Sequence, residues 1–240
     1  MYVRGDCRAG KTWEVYKRYQ QPCKIVNGRV VKQKRRKREK PTKETVQRYN
    51  EKMKIRKLTR KINANFAAGD WYLTLTYCRD KRPDPQQAAK NLKNFLASLR
   101  RRFAKAEQEF KWIACTEVGS RGGIHHHVII PYIDGRLVSE LWRRYGGNTH
   151  MQTLHGKNFG NLASYIAKSE TKQQTGGKST YSCSRNLVEP PEKIKRVKAT
   201  SWRDEPAIPK GWTLDKDSLT VGINPFTGFG YQFYRLVQIE

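Results

Sequence analysis

No stretch of this chain approaches the roughly 18 to 20 continuous apolar residues that a membrane-crossing helix needs. The amino terminus, MYVRGDCRAGK, lacks the apolar centre of a secretory signal. The expectation is a cytoplasmic protein with no membrane partner. Cysteine is scarce and unpatterned: Cys7, Cys23, Cys78, Cys115 and Cys183 are odd in number, widely scattered and include no CxxC pair. That argues against a disulfide framework and against a zinc ribbon, and reads as five free thiols. Acidic residues are few as well. The 21 Asp and Glu stand against 49 Lys and Arg, a formal net charge of +28 over 240 residues. Such an excess goes far beyond what solubility requires and implies a polyanionic partner, nucleic acid first.

The positive charge is concentrated. Between Lys32 and Lys61 fifteen Lys or Arg stand against three Asp or Glu. A run holding Lys34, Arg35, Arg36, Lys37 and Arg38 leads to Pro41 and Thr42, after which Val46, Tyr49, Met53, Leu58 and Ile62 recur at near-helical spacing up to Phe66. A basic amphipathic helix is expected there. Its Arg48, Lys54, Arg56, Lys57, Arg60 and Lys61 would join the upstream run as contacts to a nucleic-acid backbone, aided by Arg100, Arg101, Arg102, Arg143 and Arg144. Exposed aromatic rings would stack on unpaired bases. A merely solvated charged face is the usual fate of a charge run, but KQKRRKREK is too one-sided for that to be its whole role.

Near the amino terminus GDCRAGKT (residues 5 to 12) fits the phosphate-binding G-x-x-x-x-G-K-T pattern letter for letter. A working phosphate loop needs a buried strand before it and a helix after it, so that backbone amides converge on phosphate. Here TWEVYKRY (12 to 19) follows and alternates as a strand. A turn is the expected role.

From residue 70 the pattern becomes that of a packed domain. WYLTLTY (71 to 77) sets Leu73, Leu75 and Tyr77 against Thr74 and Thr76, a half-buried strand. Asp84 then caps a helix with Pro85 in its first position, and Leu92, Phe95, Leu96, Leu99 and Phe103 trace one apolar stripe. KWIACTEV (111 to 118) and IHHHVII (124 to 130) read as a hairpin around GSRGG. LVSELWRRY (137 to 145) is a second helix ended by Gly146 and Gly147, THMQTLH (149 to 155) a strand, and FGNLASYIAKSE (159 to 170) a third helix. The order strand, helix, strand, strand, helix, strand is that of a ferredoxin-like antiparallel sheet, an α+β fold. Beyond residue 171 KQQTGGKST reads as a loop and NLVEPPEK as extended chain, while YQFYRLVQI (231 to 239) regains strand character and is expected to pair with the strand near the amino terminus. Three parts follow: an extension over 1–69, a core over 70–171 and an accessory segment over 172–240.

Successive side chains on a strand alternate faces, so His125 and His127 project together and His126 the other way. Glu117, on the preceding strand of the hairpin, can reach them and complete a set of two imidazoles and one carboxylate, a set that suits a divalent metal. Histidines on an exposed strand that simply touch phosphates are the plain alternative. On the third helix Tyr165 and Lys168 lie one turn apart on one face. A phenol is a poor nucleophile near neutral pH unless an acceptor takes its proton or a cation steadies the phenolate, and Lys168 supplies such a field.

WYLTLTY, GGIHHHVII and ASYIAK, in this order and spacing, resemble motifs one, two and three of the HUH endonuclease superfamily, in particular its single-tyrosine rolling-circle replication initiators of plasmids and phages. The likeness spans roughly residues 70 to 170, and SCSRNLVEP and NANFAAGD also look like parts of the bacterial members. The resemblance implies the superfamily's endonuclease fold, with His125 and His127 as ligands of Mg2+ or Mn2+, Glu117 as the third, Tyr165 as nucleophile and Lys168 as the lysine of the third motif. It implies metal-dependent nicking and rejoining of single-stranded or hairpin origin DNA through a 5′-phosphotyrosine, in a bacterial host whose helicase and replication machinery are partners. Two residues depart from the pattern: the usually bulky apolar middle of the histidine motif is His126, and Ser169 stands where a second tyrosine would. A relaxase or transposase of the same superfamily shares this chemistry. A non-catalytic basic DNA-binding protein, in which the histidines are incidental, and an iron oxygenase with two histidines and a carboxylate are the readings from other classes.

Overall fold

The computed structural model describes residues 1–26, 29–32, 43–119, 122–167, 180–224 and 227–239, with the backbone alone over 21–26 and 29–32. Its elements in chain order begin with strands β1 (Tyr2–Ala9), β2 (Thr12–Val26) and β3 (Arg29–Lys32), helix α1 (Lys43–Asn65), strand β4 (Trp71–Tyr77) and helix α2 (Pro85–Lys105). Then come β5 (Ile113–Val118), β6 (Ile124–Ile130), α3 (Gly135–Arg143), β7 (Gly147–Thr153) and α4 (Gly160–Ala167). Last are β8 (Ser182–Cys183), β9 (Lys193–Val197), β10 (Trp212–Ile223) and β11 (Phe229–Gln238). The chain divides into two compact units, residues 54–188 and residues 1–53 with 189–240, the first boundary falling within α1. Among the described residues no helix is long and apolar enough to cross a membrane.

The 54–188 unit holds a five-stranded antiparallel sheet in the order β7-β4-β6-β5-β8. Its first four strands have the ferredoxin-like arrangement, with β8 added outside β5, so the chain is α+β as its pattern indicates. On one side of the sheet lie α2 and α3. The α2 stripe of Leu92, Phe95, Leu96, Leu99 and Phe103 packs with Val138, Leu141 and Trp142 of α3 on Leu73, Leu75, Val128 and Ile130. Burial of a large apolar side chain contributes about 1.5 to 3 kcal/mol, so this layer is the main source of cohesion in the unit. Asp84 caps α2 as its residue type demands, its carboxylate accepting from the Gln87 amide at 2.8 Å.

The opposite side carries α1 and α4. Leu58, Ile62 and Phe66 join Ala163, Ile166 and Ala167 over Ile113, Cys115 and Ile129. Only the second half of α1 is buried: Val46 and Tyr49, read from their spacing as part of an apolar stripe, are exposed. The end of α1 is tied down by Asn65, whose side chain exchanges two 2.8 Å hydrogen bonds with the backbone of Val188, imitating a strand pair. Strand β7 starts two residues before its expected beginning. Gly146 closes the α3 turn at φ 71°, and Gly147 is already paired with Tyr77. The Gly147 position lies so close to the Thr76 carbonyl and the Trp142 indole that a Cβ there would collide with both.

The other unit is a six-stranded antiparallel sheet, β10-β11-β2-β1-β9 with β3 added to β2. The two end strands pair as expected, Tyr231 with Arg18 through Val237 with Thr12. GDCRAGKT lies across β1 and β2, joined at Gly10 and Lys11 with Ala9 opposite Thr12. No helix follows it, and its first glycine has a packing role: the Tyr16 ring, directly across from Gly5, fills the space where a Cβ would stand. Arg235 of β11 bridges the buried Glu14 of β2 at 3.2 Å and Asp215 of β10 at 3.3 Å.

Candidate active site

The β5–β6 hairpin sets the register on which the site depends. Glu117 pairs directly with His125, Thr116 with His126 and Cys115 with His127. Paired residues in an antiparallel ladder share a face, so Glu117, His125 and His127 emerge together on the α1 and α4 side. On β4, Thr74 lies directly across from His127, and Tyr72, two residues earlier, shares its face. Tyr165 reaches the same place from α4.

The side chains converge. The Tyr165 hydroxyl donates to Glu117 Oε2 at 2.8 Å and lies 3.2 Å from His127 Nε2. Glu117 Oε2 and His127 Nε2 are themselves 3.2 Å apart. On the other edge of the ring, His127 Nδ1 meets the Tyr72 hydroxyl at 2.8 Å and Thr74 Oγ1 at 3.3 Å. His127 is 6% exposed while Tyr165 is 42% exposed, so a buried imidazole stands behind a phenol that solvent and substrate can reach. Burial, then the hydrogen bond and charge of Glu117, raise the Tyr165 pKa above its ordinary value. The phenol therefore remains protonated near neutral pH, and any attack by its oxygen has to pass a proton to a neighbour as the new bond forms.

His126 turns the other way. It is wholly buried among the α2 and α3 side chains, with Nε2 3.0 Å from the Tyr77 hydroxyl, Nδ1 2.9 Å from Thr116 Oγ1, and its ring edge-on to Trp142. Burial, with the neighbouring histidines, pushes its pKa down to about 3. His125 shares the face of His127, but its ring lies along the glycine turn: a Cβ at Gly123 would stand 3.4 Å from His125 Nε2 and 3.5 Å from the Arg82 guanidinium. The turn closes through Gly119 N–H to the Gly123 carbonyl at 2.8 Å.

Of the residues singled out by the pattern, Glu117, His127 and Tyr165 are brought into contact, and His125 is placed on their face outside that hydrogen-bonded cluster. Lys168, and Lys34, Arg35, Arg36, Lys37 and Arg38, lie outside the described residues. On α1, Arg48 and Lys57 are exposed and Lys54, Arg56, Arg60 and Lys61 half-buried, with Lys54 Nζ donating to Thr180 Oγ1 at 2.7 Å. Arg100, Arg101, Arg102, Arg143 and Arg144 are all exposed. Tyr72 and Thr74 were not among the candidates. The threonine alternation of WYLTLTY marks a polar face, but only the β4–β6 register shows what that face touches.

Two imidazoles and a carboxylate on one sheet face form a donor set suited to a divalent cation, and the ring nitrogen of His127 opposite its Nε2 is held by hydroxyls, as metal-binding imidazoles usually are. Among the described residues no group of three His, Cys, Asp or Glu side chains forms a ready-made cage, because His125 is not turned toward the other two. A cleft of about 360 Å³, lined by Leu92, Leu96, Trp112, Thr116 and Tyr181 among others, includes neither histidine nor Tyr165. The reactive groups sit instead on a face whose nucleophile is open, as a long polymeric substrate requires.

Residues 70–174 match a family model of replication-associated proteins, the ORF2 type. The match runs from the start of β4 past the end of α4, covers Glu117, His125, His127 and Tyr165, and supports a protein of the replication-initiator type. Comparisons with curated proteins and with solved structures gave no match.

Proposed function

We propose, from this likeness to replication-associated proteins, that the chain is a rolling-circle replication initiator that nicks and rejoins single-stranded origin DNA. The observation that carries the proposal is the contact of the exposed Tyr165 phenol with Glu117 and His127 on a strongly basic chain. Tyr165 Oη attacks the scissile phosphorus in line with the departing 3′ oxygen. As the oxygen–phosphorus bond forms, the phenol proton passes to Glu117 Oε2, 2.8 Å away. The bond from phosphorus to the 3′ oxygen breaks, that oxygen takes a proton, and the products are a 5′-phosphotyrosine and a free 3′-hydroxyl. Reversal by a 3′-hydroxyl rejoins the strand and restores the phenol. A divalent ion of the Mg2+ or Mn2+ type, held by His125, His127 and Glu117, would polarise the non-bridging oxygens and stabilise charge on the leaving oxygen.

His127 Nε2 faces the phenol oxygen from the side opposite its own anchoring hydroxyls and fixes where that oxygen sits. Lys168 follows Tyr165 by three residues and would supply positive charge to the phenolate as it develops. The Lys and Arg of α1 and of the run before it would hold the sugar–phosphate backbone, with affinity falling steeply as salt rises. A host helicase would open the duplex.

The test is incubation of an origin-derived single-stranded oligonucleotide with the protein and Mn2+ or Mg2+. A covalent protein–DNA adduct that disappears with a chelator and returns on adding metal is expected. Unchanged adduct and cleavage in Tyr165→Phe would remove the proposed nucleophile, and DNA binding without any cleavage would favour a non-catalytic DNA-binding protein.

A further inference from the structure

The nicking reaction leaves Tyr72 and Thr74 without a part, yet both hydroxyls converge on one atom of the site. Tyr72 Oη is 2.8 Å and Thr74 Oγ1 3.3 Å from His127 Nδ1. The Tyr72 and His127 rings lie nearly parallel, 7° apart with centroids at 5.7 Å, so the tyrosine fixes the plane of the imidazole as well as its rotation. Thr74 is the direct cross-strand neighbour of His127, and Tyr72 is that of Ile129. Ladder register, the least adjustable feature of a sheet, therefore delivers both hydroxyls. The Tyr72 side chain is half-buried and Thr74 also hydrogen-bonds it.

A neutral imidazole carries one proton, and its placement decides what the other nitrogen can do. If Nε2 carries it, that nitrogen is a donor to Glu117 and has no lone pair to offer to Tyr165 or to a cation. If Nδ1 carries it, Nε2 presents its lone pair to the space shared by Glu117 Oε2 and Tyr165 Oη. Two hydroxyl oxygens at Nδ1 favour the second arrangement: His127 Nδ1–H donates to Tyr72 Oη, whose own proton goes on to Thr74 Oγ1, and each group keeps a partner. His126 shows the contrast within the same strand, since its two nitrogens meet one hydroxyl each, from Tyr77 and Thr116, and neither edge is left for chemistry.

We infer that Tyr72, seconded by Thr74, is a positioning residue that holds His127 in its Nδ1-protonated form and aims Nε2 at the nucleophile. The inference rests on the nicking function proposed above. It gives the first strand of the site a stated task in that reaction: the β4 hydroxyls act on the DNA only through His127.

The test uses the full-length protein labelled with ¹⁵N at histidine, with His127 assigned by its loss in His127→Asn. Long-range proton–nitrogen correlations should show a protonated Nδ1 on His127 in the wild type and a shift toward the Nε2-protonated form in Tyr72→Phe, which keeps the ring and removes one oxygen. Nicking by Tyr72→Phe should fall about 10- to 100-fold in kcat with KM for the oligonucleotide unchanged, and Mn2+ affinity should fall by a similar factor. Thr74→Val should give the smaller loss in both. A protonated Nε2 on wild-type His127, or a Tyr72→Phe protein with wild-type tautomer, kcat and Mn2+ affinity, would overturn the inference. If Tyr72→Phe does not fold, the wild-type tautomer and Thr74→Val decide the matter alone. If Tyr165→Phe turns out to cleave normally, the nicking mechanism fails while the tautomer measurement still judges Tyr72.

Discussion

The two faces of the five-stranded sheet treat neighbouring histidines of one strand in opposite ways. On the α2 and α3 side, His126 is sealed among Trp142, Tyr77 and Thr116, and both its nitrogens are occupied by fixed hydroxyls. On the α1 and α4 side, His127 is almost as buried but has hydroxyls on one edge only, and its other edge meets a carboxylate and an exposed phenol. Burial alone does not separate a structural histidine from a reactive one. What separates them is whether a nitrogen remains directed at a group that can change its bonding.

The largest way to break this comparison is to exchange its consequences. His127→Ala is expected to reduce adduct formation about 100-fold or more, with the unit still folded, as checked by gel assay beside a urea melt. His126→Ala should do the reverse: it opens a cavity, orphans the Tyr77 and Thr116 hydroxyls, and costs about 2 to 4 kcal/mol of stability in the same melt. Equal losses of stability in the two variants would erase the distinction between the faces.

Acid sharpens it next. His126 is held neutral down to about pH 3, whereas the unfolded chain binds a proton near the ordinary histidine value of 6.5. The unfolded state therefore takes up the proton first. The stability contributed by His126 is complete above 6.5 and falls as pH drops toward 3, by up to about 1.4 kcal/mol per unit. Urea melts at pH 7 and pH 5 should show this slope in the wild type and a flatter one in His126→Gln; identical slopes would show that His126 is not kept neutral.

A smaller effect probes the other face. Glu117 contributes, after burial, to raising the Tyr165 pKa. Glu117→Gln should therefore move the phenol back toward the ordinary tyrosine value, read from the Tyr165 ¹³Cζ shift through an alkaline titration. A Tyr165 titration unchanged by Glu117→Gln would mean that the carboxylate does not act on the phenol.

Much of this arrangement is written locally. The cap at Asp84, the stripe from Leu92 to Phe103 and the parity of IHHHVII each need only a few residues in a row, and the structure places those elements where the pattern does. Glu117 was reachable because a hairpin of five turn residues fixes which residue faces which. Tyr72 and Thr74 were not, since their partner lies more than fifty residues away and is chosen by strand order. Strands β9 and β10 also escaped the pattern. KIKRV is an exposed edge strand whose charges guard against further pairing, and the alternation of WTLDKDSLTVGI is interrupted by an irregularity between Asp215 and Thr220. The exposed first half of α1 shows the converse, an apolar spacing that helix geometry permits and packing does not use.

The central claim is that the Tyr165 oxygen, gathered with Glu117 and His127, is the atom that joins to DNA. Its most direct test is protease digestion of the covalent protein–oligonucleotide adduct, followed by mass spectrometry of the nucleotide-bearing peptide. The expected result is a single modified peptide from α4 carrying the DNA 5′-phosphate on Tyr165. A phosphate found on any other residue, or no covalent species under conditions in which the strand is cut, would contradict it.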